Sequence, residues 1–253
     1  MKLFFTIIFH MMIVQQAIFA QCSTIKKIAD INDCISDVLK KENPENILVI
    51  FDLENSLIQP KKDAKQIKGI ASCDVQSSSL TSKEKELANT HAIYGRRLSL
   101  IEKESPLRIR DLKKRGVKII GYTSVLVNPS QQTKNKMLFK FRESLQKIGL
   151  NFTAHGLPTK VKPLNNLPRY FHDVPTFYHG LLCVNGKYNK AIDDGRVLVE
   201  FLRSLTHSKM GCPTSQPKTI VFVSSAIDTI NNIEKQLSSL QPSINFIGIQ
   251  YLN

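Results

Sequence analysis

Four short apolar runs punctuate the chain, and three of them stop at polar residues. Residues 47–51 (Ile-Leu-Val-Ile-Phe) end at Asp52, 117–122 (Val-Lys-Ile-Ile-Gly-Tyr) at Thr123 and Ser124, and 219–223 (Thr-Ile-Val-Phe-Val) at Ser224 and Ser225. The fourth, 244–251, closes the chain. A continuous run, rather than an alternating one, is how a strand covered on both faces reads. Between the runs the apolar spacing turns helical. Helices are expected at about 32–41, at 106–115 before Gly116, at 131–147, from Asp193 or Asp194 through Val197, Leu198, Phe201 and Leu202, and at 227–240, where Ile230, Ile233, Leu237 and Leu240 share one face. A further strand is expected at 150–154, then a loop rich in Pro and Asn at 156–168, and a β-hairpin within 177–190 turning at Asn185-Gly186. Strands alternating with helices predict an α/β fold: a Rossmann-like, mostly parallel sheet with helices on both faces. Residues 61–100 break the alternation and read as a small cap inserted between the first strand and the next helix.

The composition fits one globular domain: 253 residues, 42% hydrophobic and 22% charged, with 11 Gly and 11 Pro, which excludes collagen-like and low-complexity classes. The first 20 residues stand apart. Lys2, an apolar stretch from Leu3 to Val14 and a small residue at Ala20 form a secretory signal peptide by composition, leaving a mature domain of 21–253. The competing reading, a membrane anchor, is interrupted by Gln15 and Gln16, and a lipid-attachment reading of Cys22 fails because Gln21 precedes it. The expectation is export to the periplasm or the outside, with no membrane span after cleavage. Export permits disulfides, but Cys22, Cys34, Cys73, Cys183 and Cys212 are an odd number with no zinc spacing, so at least one thiol is free or pairs between chains.

Charge adds a preference for anions. Thirty-five Lys and Arg against 21 Asp and Glu give +14. Lys134, Lys136, Lys140, Arg142 and Lys147 lie on one expected helix, and Lys160, Lys162 and Arg169 extend the basic character into the next loop. A phosphorylated small molecule or an anionic surface fits this balance. Nucleic acid is disfavoured, because no binding motif accompanies the charge and export argues against it.

Ligands of open α/β sheets bind beyond the carboxyl ends of the strands, which here carry Asp52, Thr123, Ser224 and Ser225. Asp52 and Glu54 put two carboxylates two residues apart directly after a buried strand. Such a pair suits phosphoryl transfer: the first attacks phosphorus and the second moves a proton to and from the oxygen that leaves or enters. A hydroxyl on a neighbouring strand would hold a phosphate oxygen, a lysine would neutralise developing charge, and Mg2+ would shield nucleophile from phosphate. Each residue alone also has a structural use, as a turn or helix cap for Asp52 and Thr123, or as a surface lysine.

Asp52-Leu-Glu54-Asn-Ser56-Leu, 117–123, Lys190 ahead of a helix, and 220–225 follow one another as do the four motifs of the haloacid dehalogenase-like (HAD) superfamily, which the chain resembles from about 47 to 251. Within it the chain is most similar to an exported bacterial family of unknown function, through its first-strand motif, Ser105-Pro106 and the aromatic-ended last strand. The resemblance implies Asp52 as nucleophile, Glu54 as acid/base, Thr123 as phosphate-binding hydroxyl and Lys190, or Lys187 nearby, as the charge-stabilising lysine. It implies magnesium held by Asp52, Glu54 and Asp228. Three departures follow. Active relatives carry aspartate at the position of Glu54, threonine at that of Ser56, and one or two aspartates where Ser224 and Ser225 stand, so the metal site loses charge, with Asp228 placed to compensate in part. Two functions therefore compete: a weak or altered metal-dependent phosphohydrolase, and a non-catalytic HAD-like protein that binds an anionic ligand or protein partner. A third, a basic surface binder, predicts binding that collapses with salt whatever happens to Asp52.

Overall fold

A computed structural model describes residues 23–54, 56–60, 98–124, 131–153, 157–169, 174–184, 194–206, 216–240 and 243–252. Among the described residues ten strands run in chain order: β1 (Ser23–Ile25), β2 (Ile47–Asp52), β3 (Ile58–Pro60), β4 (Leu98–Leu100), β5 (Lys118–Thr123), β6 (Lys162–Pro163), β7 (Thr176–Tyr178), β8 (Leu181–Cys183), β9 (Thr219–Ser224) and β10 (Asn245–Tyr251). The helices are α1 (Ile31–Cys34), α2 (Ser36–Lys41), α3 (Ser105–Lys114), α4 (Gln131–Lys147), α5 (Asp194–Thr206) and α6 (Ile227–Leu237).

Eight strands form one sheet in the order β1-β10-β9-β2-β5-β8-β7-β6, parallel from β1 through β8 and antiparallel at β7 and β6. This is the expected α/β, Rossmann-like architecture. The apolar run of β2 explains itself in this setting. Ile47, Val49 and Phe51 point into a core with α3 and α4, while Leu48 and Ile50 point into a second core with α5 and α6. All five are buried, so no position in the run is left for a polar side chain until Asp52. The α4 residues Leu138, Phe141 and Leu145 are buried in the first core and Lys140 is exposed, the arrangement of a basic helix face above an apolar one. Lys162 is otherwise employed: its ammonium donates to the carbonyl oxygen of Ser204 in the last turn of α5, where a cation is favoured.

Several expectations need correction. Residues 150–153 form no strand, although Leu150 and Phe152 are buried. Instead, Lys113 Nζ donates to the carbonyl oxygens of Asn151 at 3.0 Å and Thr153 at 2.5 Å, so the alternation there records burial without a ladder. Within the span of the expected hairpin, β7 and β8 pair antiparallel through His179-Gly180, between Tyr178 and Leu181. Both turn residues have positive φ, 48° and 83°, as a two-residue hairpin with the right twist requires. Asn185-Gly186 lies outside the described residues. The helix expected at 32–41 breaks into α1 and α2 at Ile35, a buried residue between them. Strand β1, three residues long, went unforeseen; it extends the sheet beyond β10. It is secured by Glu102, whose Oε1 accepts from Ile28 N and from Tyr251 OH, both at 2.7 Å.

The expected cap, 61–100, lies outside the described residues except for its end. There β4 pairs antiparallel with β3, Ile58 facing Leu100 and Pro60 facing Leu98, so the insertion leaves and returns on adjacent strands beside the end of β2. The signal peptide also lies outside the described residues. Among the described residues no helix is long and apolar enough to cross a membrane. Cys34, half-buried, carries a free thiol and Cys183 is buried in β8; Cys22, Cys73 and Cys212 lie outside the described residues.

Candidate functional site at the carboxyl edge of the sheet

Parallel pairing brings the ends of β9, β2 and β5 side by side. Phe51 pairs with Val223 and Asp52 with Tyr122, so Ser224 and Thr123, the next residues, flank Asp52 on either side. Thr123 and Ser224 are fully buried; Asp52 and Glu54 are half-buried. The chain leaves β2 through a tight turn. Leu53 N donates to Tyr122 O at 2.8 Å, Leu57 N and Ile58 N both donate to Leu53 O at 3.1 and 3.0 Å, and the buried Ser56 hydroxyl donates to the carbonyl oxygen of Asp52. The Ser56 hydroxyl thus acts as a local clamp on the turn.

Two hydroxyl–carboxylate bonds tie the strand ends together. Ser224 Oγ donates to Asp52 Oδ2 at 2.7 Å and accepts from Ala226 N at 3.1 Å. Thr123 Oγ1 donates to Glu54 Oε1 at 2.5 Å, and Ser124 N donates to Glu54 Oε2 at 3.4 Å. In both, a hydroxyl of a neighbouring strand donates to a carboxylate oxygen. The sequence expected Asp52, Glu54 and Thr123 at one site, and the structure brings them together with Ser224.

The other expected residues divide. Lys187 and Lys190 lie outside the described residues. Asp228 sits in the exposed first turn of α6, with no hydrogen bond or ion pair to Asp52, Glu54, Thr123 or Ser224 among the described residues. Ser225 is half-exposed at the start of the turn into α6.

One further acid belongs to this edge. Tyr122, buried beside Phe222 with ring centroids 5.4 Å apart, has its phenol pushed well up in pKa. Burial is the largest cause, followed by the nearby carboxylate of Asp194, then the charges of Asp52 and Glu54. Asp194, the first residue of α5, therefore shares the field of Asp52 and Glu54. From its position in the chain Asp194 reads only as a helix start. The signal available was that helix N-termini in this fold point to the carboxyl edge of the sheet, so an acid there joins the strand-end residues.

Among the described residues no three of His, Cys, Asp and Glu converge on a point that could hold a metal ion. Asp52 and Glu54 remain as a pair, and one or two carboxylates are the share magnesium ordinarily takes from a protein while keeping several waters. Carboxylate oxygens of this kind suit a hard, oxygen-seeking cation better than a soft one.

Fold and site together define an α/β protein with a parallel sheet and a hydroxyl-braced carboxylate pair at its carboxyl edge. Residues 24–253 match the family described as "Protein of unknown function (DUF2608)", and the chain belongs to it. It is 21% identical over 231 residues to an uncharacterised protein of Rickettsia bellii, covering 87% of this chain and 73% of that one. It is 32% identical over 89 residues to an uncharacterised protein of Rickettsia conorii, covering 35% of this chain and 26% of that one. No solved structure matches the chain.

Proposed function

We propose that this is an exported HAD-like phosphohydrolase with an altered site, acting on phosphate monoesters through an aspartyl-phosphate at Asp52. The observation that carries the reading is the bracing of two carboxylates by hydroxyls of the two neighbouring strands: Asp52 by Ser224 on β9, and Glu54 by Thr123 on β5. In the unliganded site such bracing gathers both carboxylates at the mouth of the sheet, where an in-line displacement needs its nucleophile and its acid.

The chemistry follows from those positions. An Asp52 oxygen attacks phosphorus, and the bond from phosphorus to the ester oxygen breaks. Glu54 in its acid form gives its proton to the departing alcohol. Water then attacks the phosphorus of the aspartyl-phosphate, a proton passes back to Glu54, and Asp52 is released with inorganic phosphate. When Glu54 turns from them toward the departing oxygen, the Thr123 hydroxyl and Ser124 N–H are freed to hold phosphoryl oxygens, and the lysine at 187 or 190 offsets their charge. Magnesium, held by Asp52 and Glu54 with Asp228 as the outlying acid, would shield nucleophile from phosphate. The net charge of +14 draws anionic substrates to the molecule, and the leader at 1–20 directs it to the periplasm or beyond.

A second reading, a non-catalytic binder of anions or of a protein partner, is favoured by one feature: Ser224 and Ser225 stand where active relatives of the resembled superfamily carry aspartate. Hydrolysis of an aryl phosphate with and without magnesium, compared between the wild type and Asp52→Asn, decides between them. The proposal expects magnesium-dependent turnover that Asp52→Asn abolishes. Equal rates for the two proteins would leave the binder reading.

A further inference from the structure

Thr123 Oγ1 and Ser124 N are neighbouring donors at the end of β5, and both point at one carboxylate, Glu54, with one donor for each of its oxygens. A carboxylate presents two anionic acceptors in a fork, as two oxygens of a phosphate do. From this geometry we propose that Glu54 is a built-in competitor of the site: it occupies the anion-binding donors itself, and a phosphate dianion enters only by displacing it. The inference rests on the reading of Thr123 and Ser124 as phosphate donors and deepens it by naming what regulates their access.

Length decides that Glu54 can do this. The Thr123–Glu54 bond is 2.5 Å. An aspartate, shorter by one carbon–carbon bond of about 1.5 Å, would leave that gap near 4 Å, outside hydrogen-bonding range. The tether also favours the competitor. Glu54 is two residues from Asp52 on a turn held by the Leu53 carbonyl and the Ser56 hydroxyl, so its carboxylate is always at hand, whereas phosphate must arrive from solution. A weak or singly charged anion does not win this exchange; a phosphate monoester dianion, with twice the charge on the same two donors, does.

The test is the affinity for inorganic phosphate of the full-length protein, measured by calorimetric titration with and without magnesium chloride. Glu54→Asp keeps the charge and loses the reach; Glu54→Gln loses the charge and keeps the reach. The proposal expects Glu54→Asp to bind phosphate about tenfold tighter than wild type or better, from the release of one charge-assisted bond. It expects Thr123→Val added to Glu54→Asp to remove the gain. Should Glu54→Asp fold poorly, Glu54→Ala gives the same comparison. Unchanged affinity in Glu54→Asp and Glu54→Ala overturns the inference, as does a gain in Glu54→Gln alone, which would assign the effect to charge. The same samples separate this inference from the phosphohydrolase reading. A Thr123-dependent gain in phosphate binding without aryl phosphate turnover leaves the competitor standing and the enzyme refuted; turnover in wild type with no gain in either short variant does the reverse.

Discussion

Replacing Ser224 by aspartate sets a second carboxylate against Asp52 in a fully buried position, and the cost can be worked from the geometry. The Ser224 hydroxyl stands 2.7 Å from Asp52 Oδ2 and donates to it. Ser224→Ala loses that bond and leaves Asp52 one donor short, about 1.5–3 kcal/mol for a hydrogen bond to a charged group. Ser224→Asp loses the same bond and adds repulsion, about 4 kcal/mol for two unit charges some 4 Å apart at an effective dielectric of 20. Proton uptake by the pair caps the sum, so the expected loss is about 4–6 kcal/mol at neutral pH, a large part of the stability of a domain. The sign with pH is fixed. One carboxyl of the pair has its folded-state pKa raised, so the folded state holds a proton that the unfolded chain releases above about pH 4; the gap between Ser224→Asp and Ser224→Ala is closed near pH 4 and opens as pH rises. Magnesium at millimolar concentration should restore much of the Ser224→Asp stability and little of that of Ser224→Ala, by binding the folded state. Urea denaturation of the three proteins at pH 4.5 and 7.5, with and without magnesium, measures all of this. Equal midpoints for the aspartate and alanine variants at pH 7.5 without magnesium would refute the reasoning.

Other perturbations test the frame around the site. Gly180→Ala would place a Cβ 2.2 Å from the Phe152 carbonyl oxygen at a φ of +83°, and a loss above about 2 kcal/mol is expected from urea denaturation. Glu102→Ala strands the buried Tyr251 hydroxyl and the Ile28 N–H, costing about 2–5 kcal/mol, whereas Tyr251→Phe removes one bond and costs about 1.5–3 kcal/mol; the double variant should fall short of the sum. The His179 imidazole has its pKa pushed down, first by burial and then by the Arg142 charge, so the unfolded chain takes the proton first and stability falls as pH drops below about 6.5. His179→Asn, which tolerates the positive φ, should show a shallower loss between pH 7 and pH 5 in the same assay.

The central strands were legible because they are covered on both faces. Burial on both sides leaves β2 and β9 no choice but continuous apolar residues, and the first polar residue then marks the mouth of the sheet, which is how Asp52, Thr123 and Ser224 could be found from the chain alone. The edges were less legible for the same reason. A three-residue strand such as β1 carries too few positions for a pattern, and its place beside β10 depends on Glu102, 74 residues from its partner Ile28. Leu150 and Phe152 carry the apolar spacing of a strand, while the carbonyls of Asn151 and Thr153 are turned to Lys113 and that of Phe152 packs against Gly180. In the site, spacing gave the two carboxylates but not their partners. That Glu54 reaches across to β5 while Asp52 is held from β9 follows from side-chain length and strand order, and strand order is not written in any local pattern.

The central claim is that Asp52 becomes phosphorylated. Incubation of the protein with a radiolabelled phosphate monoester and magnesium, rapid acid quench and borohydride reduction should convert Asp52 to homoserine in the peptide that contains it, with hydroxylamine removing the label beforehand and Asp52→Asn showing neither. Turnover with Asp52 unmodified under that quench, or label settling on another residue, would contradict the account.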